Sequence, residues 1–355
     1  MMFFMKVTER RCRILTLILL IATLTLSVTM SPALADSDKR VLKVMTQNMD
    51  AGTDLLFFFV TDPITATQLT YQELLATDFS GRAKLLADQI VIHQPYLISL
   101  QEVTLWQTIS ATGETGVLAD QLDLIMDALA ARHLQYKVVA GQDLTDITAP
   151  LGDGSYVRFL DRNVILARTD LKHSELALSN VQSGIYQATI APVPGFPEAL
   201  NGWLSVDAKI RGKSLRFFGT HLETPVSQDD PTQVLQGQEL IAIMEQSRLP
   251  VILAGDLNSD ASGLGIGPDQ TPTAAMIMEA GYADAWQTLH PGEAGFTWPL
   301  YLEDVLVVFP VDLFLERIDL IFARNLEILD VAVVGNNLPF PSDHAGVVAT
   351  LQIEK

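Results

Sequence analysis

Polar side chains follow apolar stretches at four places in the sequence. LKVMTQ precedes Asn48, YLISLQ precedes Glu102, LRFFGT precedes His221, and VILAG precedes Asp256, with Asn258 two residues further on. Amide and carboxylate oxygens bind hard divalent cations, and a histidine beside carboxylates can transfer protons or stabilise an oxyanion. If the apolar stretches are strands of a sheet, their carboxyl ends present these groups where open α/β sheets place their sites.

Two further signals lie near the carboxyl end of the chain. Asp319 occurs inside the apolar segment ERIDLIF, where an unpaired carboxylate is costly to bury. Asp343 and His344 are adjacent in PSDHAGVV, just before the last apolar stretch. Because a histidine is a natural partner for a buried carboxylate, we expect Asp319 to be paired with one.

Each of these residues also has an ordinary structural explanation. Asn48 can form a turn, Glu102 can be the solvated end of a strand, and His221 can bond a backbone carbonyl. Asp256 and Asn258 can be a helix cap followed by a turn. The ordinary explanations must all hold at once for the site to be absent, so the complete set favours chemistry.

The combined residue types indicate hydrolysis of a phosphate ester. Oxygen ligands without any thiolate suit Mg²⁺ or Mn²⁺, and a carboxylate base with neutral or cationic donors suits attack of water on phosphorus. In an extended segment residues two apart point the same way, so Asp256 and Asn258 would face one atom. Gly255 would leave room for the substrate beside them.

The segments that carry these residues alternate in character along the chain. Apolar or alternating patterns predict strands and 3.6-residue periodicity predicts helices, which together favour a mixed sheet packing with helices outside. The predicted strands are 41–48, 96–102, 135–140, 156–167, 203–210, 214–220, 250–255, 318–323, 327–334 and 346–353. The predicted helices are 82–93, 116–133, 231–247 and 272–280.

The first 35 residues have the pattern of a signal peptide. Four basic residues precede the apolar run 14–28, and Ala33-Leu34-Ala35 is a small-residue cleavage pattern. We therefore expect a protein exported to the periplasm or the extracellular space, with one mature domain at 36–355. A retained membrane anchor is the alternative that the apolar length permits.

The composition of the mature chain restricts its chemistry and its partners. The only cysteine, Cys12, lies in the signal peptide, so disulfides, a thiolate nucleophile and zinc–cysteine sites are excluded from the mature chain. Removing four basic residues and one acidic residue changes the net charge from −19 to −22. This acidity disfavours charge-driven binding of long nucleic acid, although a bound divalent cation would supply positive charge locally.

An ordered set of short motifs resembles the endonuclease/exonuclease/phosphatase superfamily, which has the deoxyribonuclease I-like fold. The motifs are TQNM (46–49), LQEV (100–103), GTHLE (219–223), GDLNS (255–259), ERIDLIF (316–322) and SDHAGV (342–347). The resemblance implies an α/β four-layer sandwich, in which two packed mixed β-sheets are flanked by α-helices. It also implies a metal-dependent phosphoesterase, most simply a phosphodiesterase.

The resemblance assigns metal binding to residues from three of the motifs. Glu102 would be the main ligand of Mg²⁺ or Mn²⁺, with Asn48 beside it, and Asp343 would help to hold the metal. Asn163, in the segment DRNVILAR, would contact the substrate phosphate.

The resemblance also assigns the catalytic roles. Asp256 would orient or deprotonate the attacking water and Asn258 would bind a phosphoryl oxygen. His344, held by Asp319, would stabilise the transition state. His221 would contact the phosphate or assist the leaving group, but no acidic partner for it can be placed from the sequence.

The substrate is left open by the sequence. The apolar stretches 55–60 and 299–315 pack onto the core or touch a membrane surface transiently, and the spacing of Asn48 and Glu102 indicates an insertion at 53–80 near the mouth of the site. The candidate substrates are a phospholipid headgroup, as in sphingomyelinase-like or phosphoinositide enzymes, a nucleic acid, or a small phosphate ester. A non-catalytic secreted binding protein on the same fold is the alternative from another class. We expect a monomer.

Overall fold

The computed structural model describes residues 40–53, 61–190, 198–227, 229–264, 269–300 and 315–353. Within these residues the strands form one sheet of eight and one sheet of six.

The strands of the first sheet come from both ends of the described chain, whereas the six strands of the second follow one another in the sequence. The first sheet contains β1 (Val41–Asn48), β2 (Leu97–Gln101), β3 (Leu105–Ile109), β4 (Thr115–Asp120), β5 (Tyr136–Pro150), β6 (Tyr156–Arg168), β13 (Leu326–Val334) and β14 (Gly346–Ile353). The second contains β7 (Leu176–Ile185), β8 (Gly202–Ile210), β9 (Lys213–His221), β10 (Val251–Asp256), β11 (Ala283–Asp284) and β12 (Asp319–Arg324). The first sheet has the order β13-β14-β1-β2-β6-β3-β4, with β5 paired to β6, and the second has the order β11-β12-β10-β9-β8-β7.

Four of the six described helices pack on the outer faces of the sheets. The six helices are α1 (Pro63–Ala76), α2 (Phe79–His93), α3 (Gln121–Ala131), α4 (Thr232–Glu245), α5 (Thr273–Glu279) and α6 (Ala285–Leu289). Asp62, Asp78, Asp120 and Asp284 cap four of them by accepting bonds from backbone N–H groups of the first turn.

The main core lies between the two sheets. Alternate residues of each strand point inward, so β1 contributes Leu42 and Val44 while β9 contributes Leu215 and Phe217. These side chains are fully buried and pack against inner residues of the opposite sheet. The two sheets are therefore joined by an apolar layer.

The opposite faces of the sheets pack against helices. Met45 of β1 packs with Leu86 and Ile90 of α2. On the second sheet, Leu253 of β10 packs in the cluster that contains Leu240 of α4. The order helix, sheet, sheet, helix confirms the predicted α/β four-layer sandwich.

The strand pairing determines which ends of the strands meet. β1 runs parallel to β2, with Asn48 opposite Gln101, and antiparallel to β14. β10 runs parallel to β9 and antiparallel to β12. The carboxyl ends of β1, β2, β9 and β10 consequently reach the same end of the sandwich, together with the amino end of β12.

One helix prediction is wrong in its first part. The segment 116–133 was expected to be a single helix, but Thr115–Asp120 is β4 and only Gln121–Ala131 is helical. β4 pairs with β3, and Asp120 accepts from the backbone N–H groups of Leu122 and Asp123. Sheet pairing and this cap together move the start of the helix to Gln121.

The predicted insertion at 53–80 contains α1, and it contacts the loop that follows Asn48. Thr77 Oγ1 donates to the carbonyl of Gly52 at 3.1 Å. The predicted signal peptide, the apolar stretch 55–60 and most of the stretch 299–315 lie outside the described residues. Among the helices of the described residues, none combines the length and apolar character needed to cross a membrane.

Candidate active site

The inward-facing rows of the strands change from apolar to polar at one end of the sandwich. On β1, Leu42 and Val44 are followed at the same parity by Thr46 and Asn48. On β10, Ile252 and Ala254 are followed by Asp256. The side chains predicted to act in chemistry therefore occupy the end of the core itself, where the pleat aims them between the sheets.

Three predicted residues lie side by side across the second sheet. Asp256 is opposite His221 on β9 and opposite Asp319 on β12. Neighbouring strands are about 4.8 Å apart, so these side chains are held within contact range by backbone pairing. All three are at least nine-tenths buried.

Asn48 connects this row to the first sheet. Its Nδ2 donates to Glu102 Oε1 at 2.8 Å and to Asp256 Oδ2 at 2.9 Å. Its Oδ1 accepts from the backbone N–H of Asp50 at 2.9 Å. Both amide hydrogens of one buried side chain thus hold one carboxylate from each sheet.

Glu102 occupies a backbone conformation that side chains other than glycine adopt rarely. Its φ is +51°, in the left-handed region, which costs roughly 1–2 kcal/mol for an ordinary residue. Glu102 Oε2 accepts from the backbone N–H of Ala51 at 2.7 Å. The strained turn after β2 directs the carboxylate back towards the end of β1.

His344 and Asp319 form a buried pair, as expected for a carboxylate within an apolar strand. His344 Nδ1 lies 2.9 Å from Asp319 Oδ2 and 3.8 Å from Asp256 Oδ2. Burial alone would lower the pKa of His344, but the carboxylates of Asp319 and Asp343 raise it well above its ordinary value. The pair favours an imidazolium whose Nδ1–H is held by Asp319.

The groups around Asp256 have opposite effects on its pKa. Burial and the charge of Asp319 raise its pKa, whereas His344, His221 and the bond from Asn48 lower it, and the net shift is upward. A carboxylate with a raised pKa is a stronger base than a solvated one. Asp256 is accordingly suited to accept a proton.

His221 lies on the other side of Asp256. Its Nε2 is 3.7 Å from Asp256 Oδ2 and 3.2 Å from Asn258 Nδ2, while its buried Nδ1 has no hydrogen-bond partner in the described part of the chain. Burial lowers the pKa of His221, but Asp256, Glu102 and Asp161 raise it, with a net rise. Asp161 acts on His221 through its charge and does not bond its Nδ1.

Asn258 lies in the site with a different backbone from the one expected. Its φ is +43°, so the chain turns after Asp256 instead of continuing as an extended strand. Asn258 Nδ2 donates to the carbonyl of Leu222 at 2.8 Å and lies beside His221 Nε2. The amide therefore orients His221, and its contact with a phosphoryl oxygen stays a prediction.

Gly255 was predicted to leave room for the substrate, and this reason is wrong. A Cβ at this position would lie 2.2 Å from the carbonyl oxygen of Thr220 on β9, the residue opposite it in the sheet. The neighbouring strand, and not a substrate, occupies the space. Gly255 allows β9 and β10 to approach closely just before His221 and Asp256.

Three carboxylates gather at the Glu102 end of the site. Burial and the charge of Asp343 raise the pKa of Asp50 to about 6, and burial and the charge of Glu102 raise the pKa of Asp343. Arg82 is 3.2 Å from Asp50 Oδ2 and partly compensates this charge. An oxygen-rich group with excess negative charge fits a hard divalent cation.

A second group also has the geometry to ligate a metal. One ligand atom each from Asp256, Asp319 and His344 lies within 4.8 Å of the others. Because His344 Nδ1 and Asp319 Oδ2 already bond each other at 2.9 Å, this group is better satisfied without an ion than the three carboxylates near Glu102. The predicted ligands Glu102 and Asp343 belong to the three carboxylates, and the predicted ligand Asn48 donates to Glu102. Their binding of a metal stays a prediction.

Asn163 lies on β6, the neighbour of β2 in the first sheet. It is buried on β6, its Nδ2 donates to the carbonyl of Gly202 at 3.3 Å, and its Oδ1 has no partner in the described residues. Gly202 is opposite His221 in the sheet. Asn163 is thus beside the site, and its predicted contact with phosphate stays a prediction.

Sequence reasoning missed several residues of the site. Asp161 lies in the apolar segment YVRFLDRNVILAR, which is the same signal that identified Asp319. Asp50 and Arg82 gave no signal, because a turn aspartate and a helix arginine are ordinary surface residues in most sequences. Their importance depends on tertiary contacts: Arg82 donates to the carbonyls of Met49, Asp50 and Pro341.

The model of the Endonuclease/Exonuclease/phosphatase family matches residues 45–344 of this chain. The chain belongs to that family. Members of the endonuclease/exonuclease/phosphatase family are phosphoester hydrolases that typically depend on a divalent metal. No curated protein sequence matches this chain.

Solved structures of the family share the fold. An endonuclease/exonuclease/phosphatase from Beutenbergia cavernae is 22% identical with a TM-score of 0.55, covering 89% of this chain and 72% of that one. A mannosyl-6-phosphatase from Bacteroides thetaiotaomicron is 16% identical (TM-score 0.53; 87% and 99% covered). D. rerio TDP2 with a single-strand DNA product is 18% identical (TM-score 0.51; 88% and 98% covered).

Proposed function

We propose that this protein is an exported, metal-dependent phosphoester hydrolase, a phosphodiesterase that acts as a monomer by attack of water on phosphorus. The observation that carries the proposal is the convergence on Asp256 of groups from both sheets. Asn48 bonds it at 2.9 Å, and His221 and His344 lie at 3.7 and 3.8 Å. A buried base between two histidines suits proton transfer at a phosphate ester.

The residues divide the work by their positions. Asp256, oriented by Asn48, accepts the proton of the attacking water. His344, whose Nδ1 is held by Asp319, donates to a phosphoryl oxygen and stabilises the charge that develops there. His221 is oriented by Asn258 and lies on the other side of Asp256. It assists the departure of the leaving group.

The metal site of this proposal is the oxygen-rich group. Glu102, Asn48 and Asp343 would hold Mg²⁺ or Mn²⁺, with Asp50 nearby. A bound cation polarises a phosphoryl oxygen and offsets negative charge in the transition state. The same charge compensation supports binding of a phosphate by the exported chain, whose net charge changes from −19 to −22 when residues 1–35 are removed.

Hydrolysis of chromogenic esters tests this function. Bis(p-nitrophenyl) phosphate and p-nitrophenyl phosphate are supplied with Mg²⁺ or Mn²⁺, and EDTA should abolish turnover. Asp256→Asn should lower kcat by at least about 10²-fold, whereas the exposed helix variant Asp127→Asn should leave it unchanged.

Two outcomes would count against the proposal. Equal turnover by wild type and Asp256→Asn would remove Asp256 from the mechanism. Absence of turnover on both esters with either ion would favour the non-catalytic binding protein.

Export is tested separately on the mature amino terminus. Cleavage after Ala35 would give a secreted protein that begins at Asp36, which N-terminal sequencing identifies. An intact Met1 on a membrane-bound product would favour the retained anchor.

A further inference from the structure

Two glutamine side chains of α4 are buried behind the segments that follow His221 and Asp256. Gln233 and Gln236 are fully buried and lie three residues apart at the start of the helix, so they share one face of α4. A buried amide needs partners for both its oxygen and its nitrogen. Both glutamines find these partners outside α4, and we call the pair the α4 amides.

Gln233 bonds the turn that follows β10. Its Nε2 donates to the carbonyl oxygens of Leu257 at 2.6 Å and of Asn258 at 3.2 Å. Both residues are buried just beyond Asp256, the last residue of β10 that is paired in the sheet. The amide of Gln233 therefore supplies donors to buried carbonyls, and it supports the left-handed backbone of Asn258.

Gln236 bonds the segment that follows β9. Its Oε1 accepts from the backbone N–H of Glu223 at 2.8 Å, and its Nε2 donates to the carbonyl of Ala188 at 2.9 Å. Glu223 lies two residues after His221. Gln236 therefore attaches the segment after β9 to α4, as the other α4 amide does for the turn after β10.

The helix α5 fixes the orientation of Gln233. Thr273 Oγ1 donates to Gln233 Oε1 at 2.7 Å, so the nitrogen of the amide faces the two carbonyls. This contact depends on close packing of the two helices, because a Cβ on Gly237 of α4 would lie 2.4 Å from Thr273 Cγ2. The hydroxyl of Thr273 is accordingly the group of α5 that keeps Gln233 in place.

The two segments attached to α4 are joined to each other beside the imidazole of His221. Asn258 Nδ2 donates to the carbonyl of Leu222 at 2.8 Å and lies 3.2 Å from His221 Nε2. The α4 amides thus determine the separation of the two segments at the point where His221 lies next to Asp256. A misplacement of about 1 Å at a reacting group can lower a rate about 10²-fold, so this separation affects chemistry.

We propose that Gln233 and Gln236 are positioning residues that hold His221 where it can protonate the departing oxygen of the phosphate ester. This inference rests on the proposed function, in which His221 assists the departure of the leaving group. The proton passes from the imidazolium to the departing oxygen as the bond from that oxygen to phosphorus breaks, so a neutral alcohol leaves. Both glutamines act through the backbone beside His221 and Asn258.

Esters with different leaving groups test the role of the α4 amides. Phenyl phosphate is compared with p-nitrophenyl phosphate, and diphenyl phosphate with bis(p-nitrophenyl) phosphate, under Mn²⁺. Phenolate is a poorer leaving group than p-nitrophenolate and depends more on protonation. In Gln233→Met and Gln236→Met, kcat for the phenyl ester should therefore fall at least about tenfold more than kcat for its p-nitrophenyl partner, with little change in KM.

Three controls accompany the two glutamine variants. His221→Gln gives the change in the ratio of the two kcat values that follows from loss of the imidazole itself. Gln238→Met, at an exposed position of α4, should keep the wild-type ratio. Thr273→Val and Thr273→Ser leave both amides in place, and only serine keeps the hydroxyl that bonds Gln233. Thr273→Val should shift the ratio in the same direction as the glutamine variants, and Thr273→Ser should keep it.

The outcomes separate this inference from the proposed function. If wild type hydrolyses a pair of esters and the glutamine variants lose kcat equally on both, or on neither, the inference is overturned and the function is intact. If the glutamine variants do not fold, an unchanged ratio in Thr273→Val overturns the inference in the same way. If wild type hydrolyses none of the four esters, the proposed function fails, and the inference fails with it.

Discussion

Asn48 shows how much of the site depends on one side chain. Its two amide hydrogens hold Glu102 from the first sheet and Asp256 from the second. An aspartate here would place a third carboxylate against those two, and an apolar side chain would remove one hydrogen-bond donor from each of them. At the scale of the residue, the site is a set of carboxylates kept together by a few donors.

The pair of His344 and Asp319 gives the first prediction. Asp319→Asn keeps the size of the side chain but removes the charge that stabilises the His344 imidazolium and orients its ring. We expect kcat to fall about 10²- to 10⁴-fold with little change in the fold. Steady-state kinetics beside Asp330→Asn on β13 measures this, and an unchanged kcat would exclude the pair from catalysis.

Arg82 gives the second prediction. Its guanidinium bonds the carbonyls of Asp50 and Pro341 and faces the Asp50 carboxylate, so it joins the loop after β1 to the loop before β14. Arg82→Leu leaves a buried carboxylate uncompensated and should lower the free energy of unfolding by about 3–5 kcal/mol.

Urea unfolding of Arg82→Leu is compared with that of the double variant Arg82→Leu/Asp50→Asn. The double variant should recover part of the loss, because its buried side chain is neutral. Equal stability of the two variants would show that Arg82 acts through packing alone.

At the scale of the element, the sequence predicted the inner strands well. The predicted strands 41–48 and 346–353 match β1 and β14, because strands buried on both faces read as continuous apolar runs. It did not predict α1, β3, β4 or β7. β7 is largely exposed, and α1 has little amphipathic pattern, although Asp62 followed by Pro63 is a helix start signal.

The same contrast applies to the site. His221, Asp256, Asp319 and His344 could be predicted as neighbours because each of these polar residues lies within or next to an apolar run. Asp50 and Arg82 could not be predicted, because their burial results from loops that meet only in the folded chain. Periodicity reports the face that a residue occupies, and it contains no information about which loops come together.

Gly255 gives a prediction about the strand pair β9 and β10. In Gly255→Ala the new Cβ meets the Thr220 carbonyl at 2.2 Å, so the strands must separate at the point where His221 and Asp256 are paired. We expect a loss of about 1–3 kcal/mol in stability together with reduced kcat.

Gly141→Ala is the matched control, because a Cβ there has only one ordinary contact, with Val138 at 3.8 Å. Thermal unfolding and kinetics of the two variants should differ clearly. Wild-type kcat in Gly255→Ala would mean that the spacing of β9 and β10 does not govern the site.

At the scale of the whole molecule, stability should depend on pH through a buried acidic pair outside the site. Asp269 Oδ1 and Glu316 Oε1 are buried without a donor in the described residues, and the two carboxyl groups interact directly. Burial and this contact raise the pKa of Asp269 to about 9. One shared proton satisfies both oxygens.

The sign of the effect follows from the raised pKa. The stability that Asp269 contributes is fully present below its ordinary pKa near 3.8 and is lost as the pH rises towards about 9. In Asp269→Asn an amide N–H donates to Glu316 at any pH, so the variant should be more stable than wild type at pH 8–9 and should lose less stability from pH 5 to pH 9.

Urea unfolding of wild type and Asp269→Asn at pH 5, 7 and 9 measures this difference. Asp330→Asn, an exposed substitution on β13, should reproduce the wild-type slope. Parallel pH dependence in Asp269→Asn and wild type would contradict the shared proton.

The apolar-to-polar change along the inner faces separates positions that determine stability from positions that determine specificity. Leu42 and Asn48 share one face of β1 but lie about 20 Å apart along the strand. Effects of substitutions at such distances usually add. Laboratory evolution could therefore accumulate stabilising substitutions at the apolar end. The added free energy of unfolding would then offset destabilising substitutions that change specificity at the polar end.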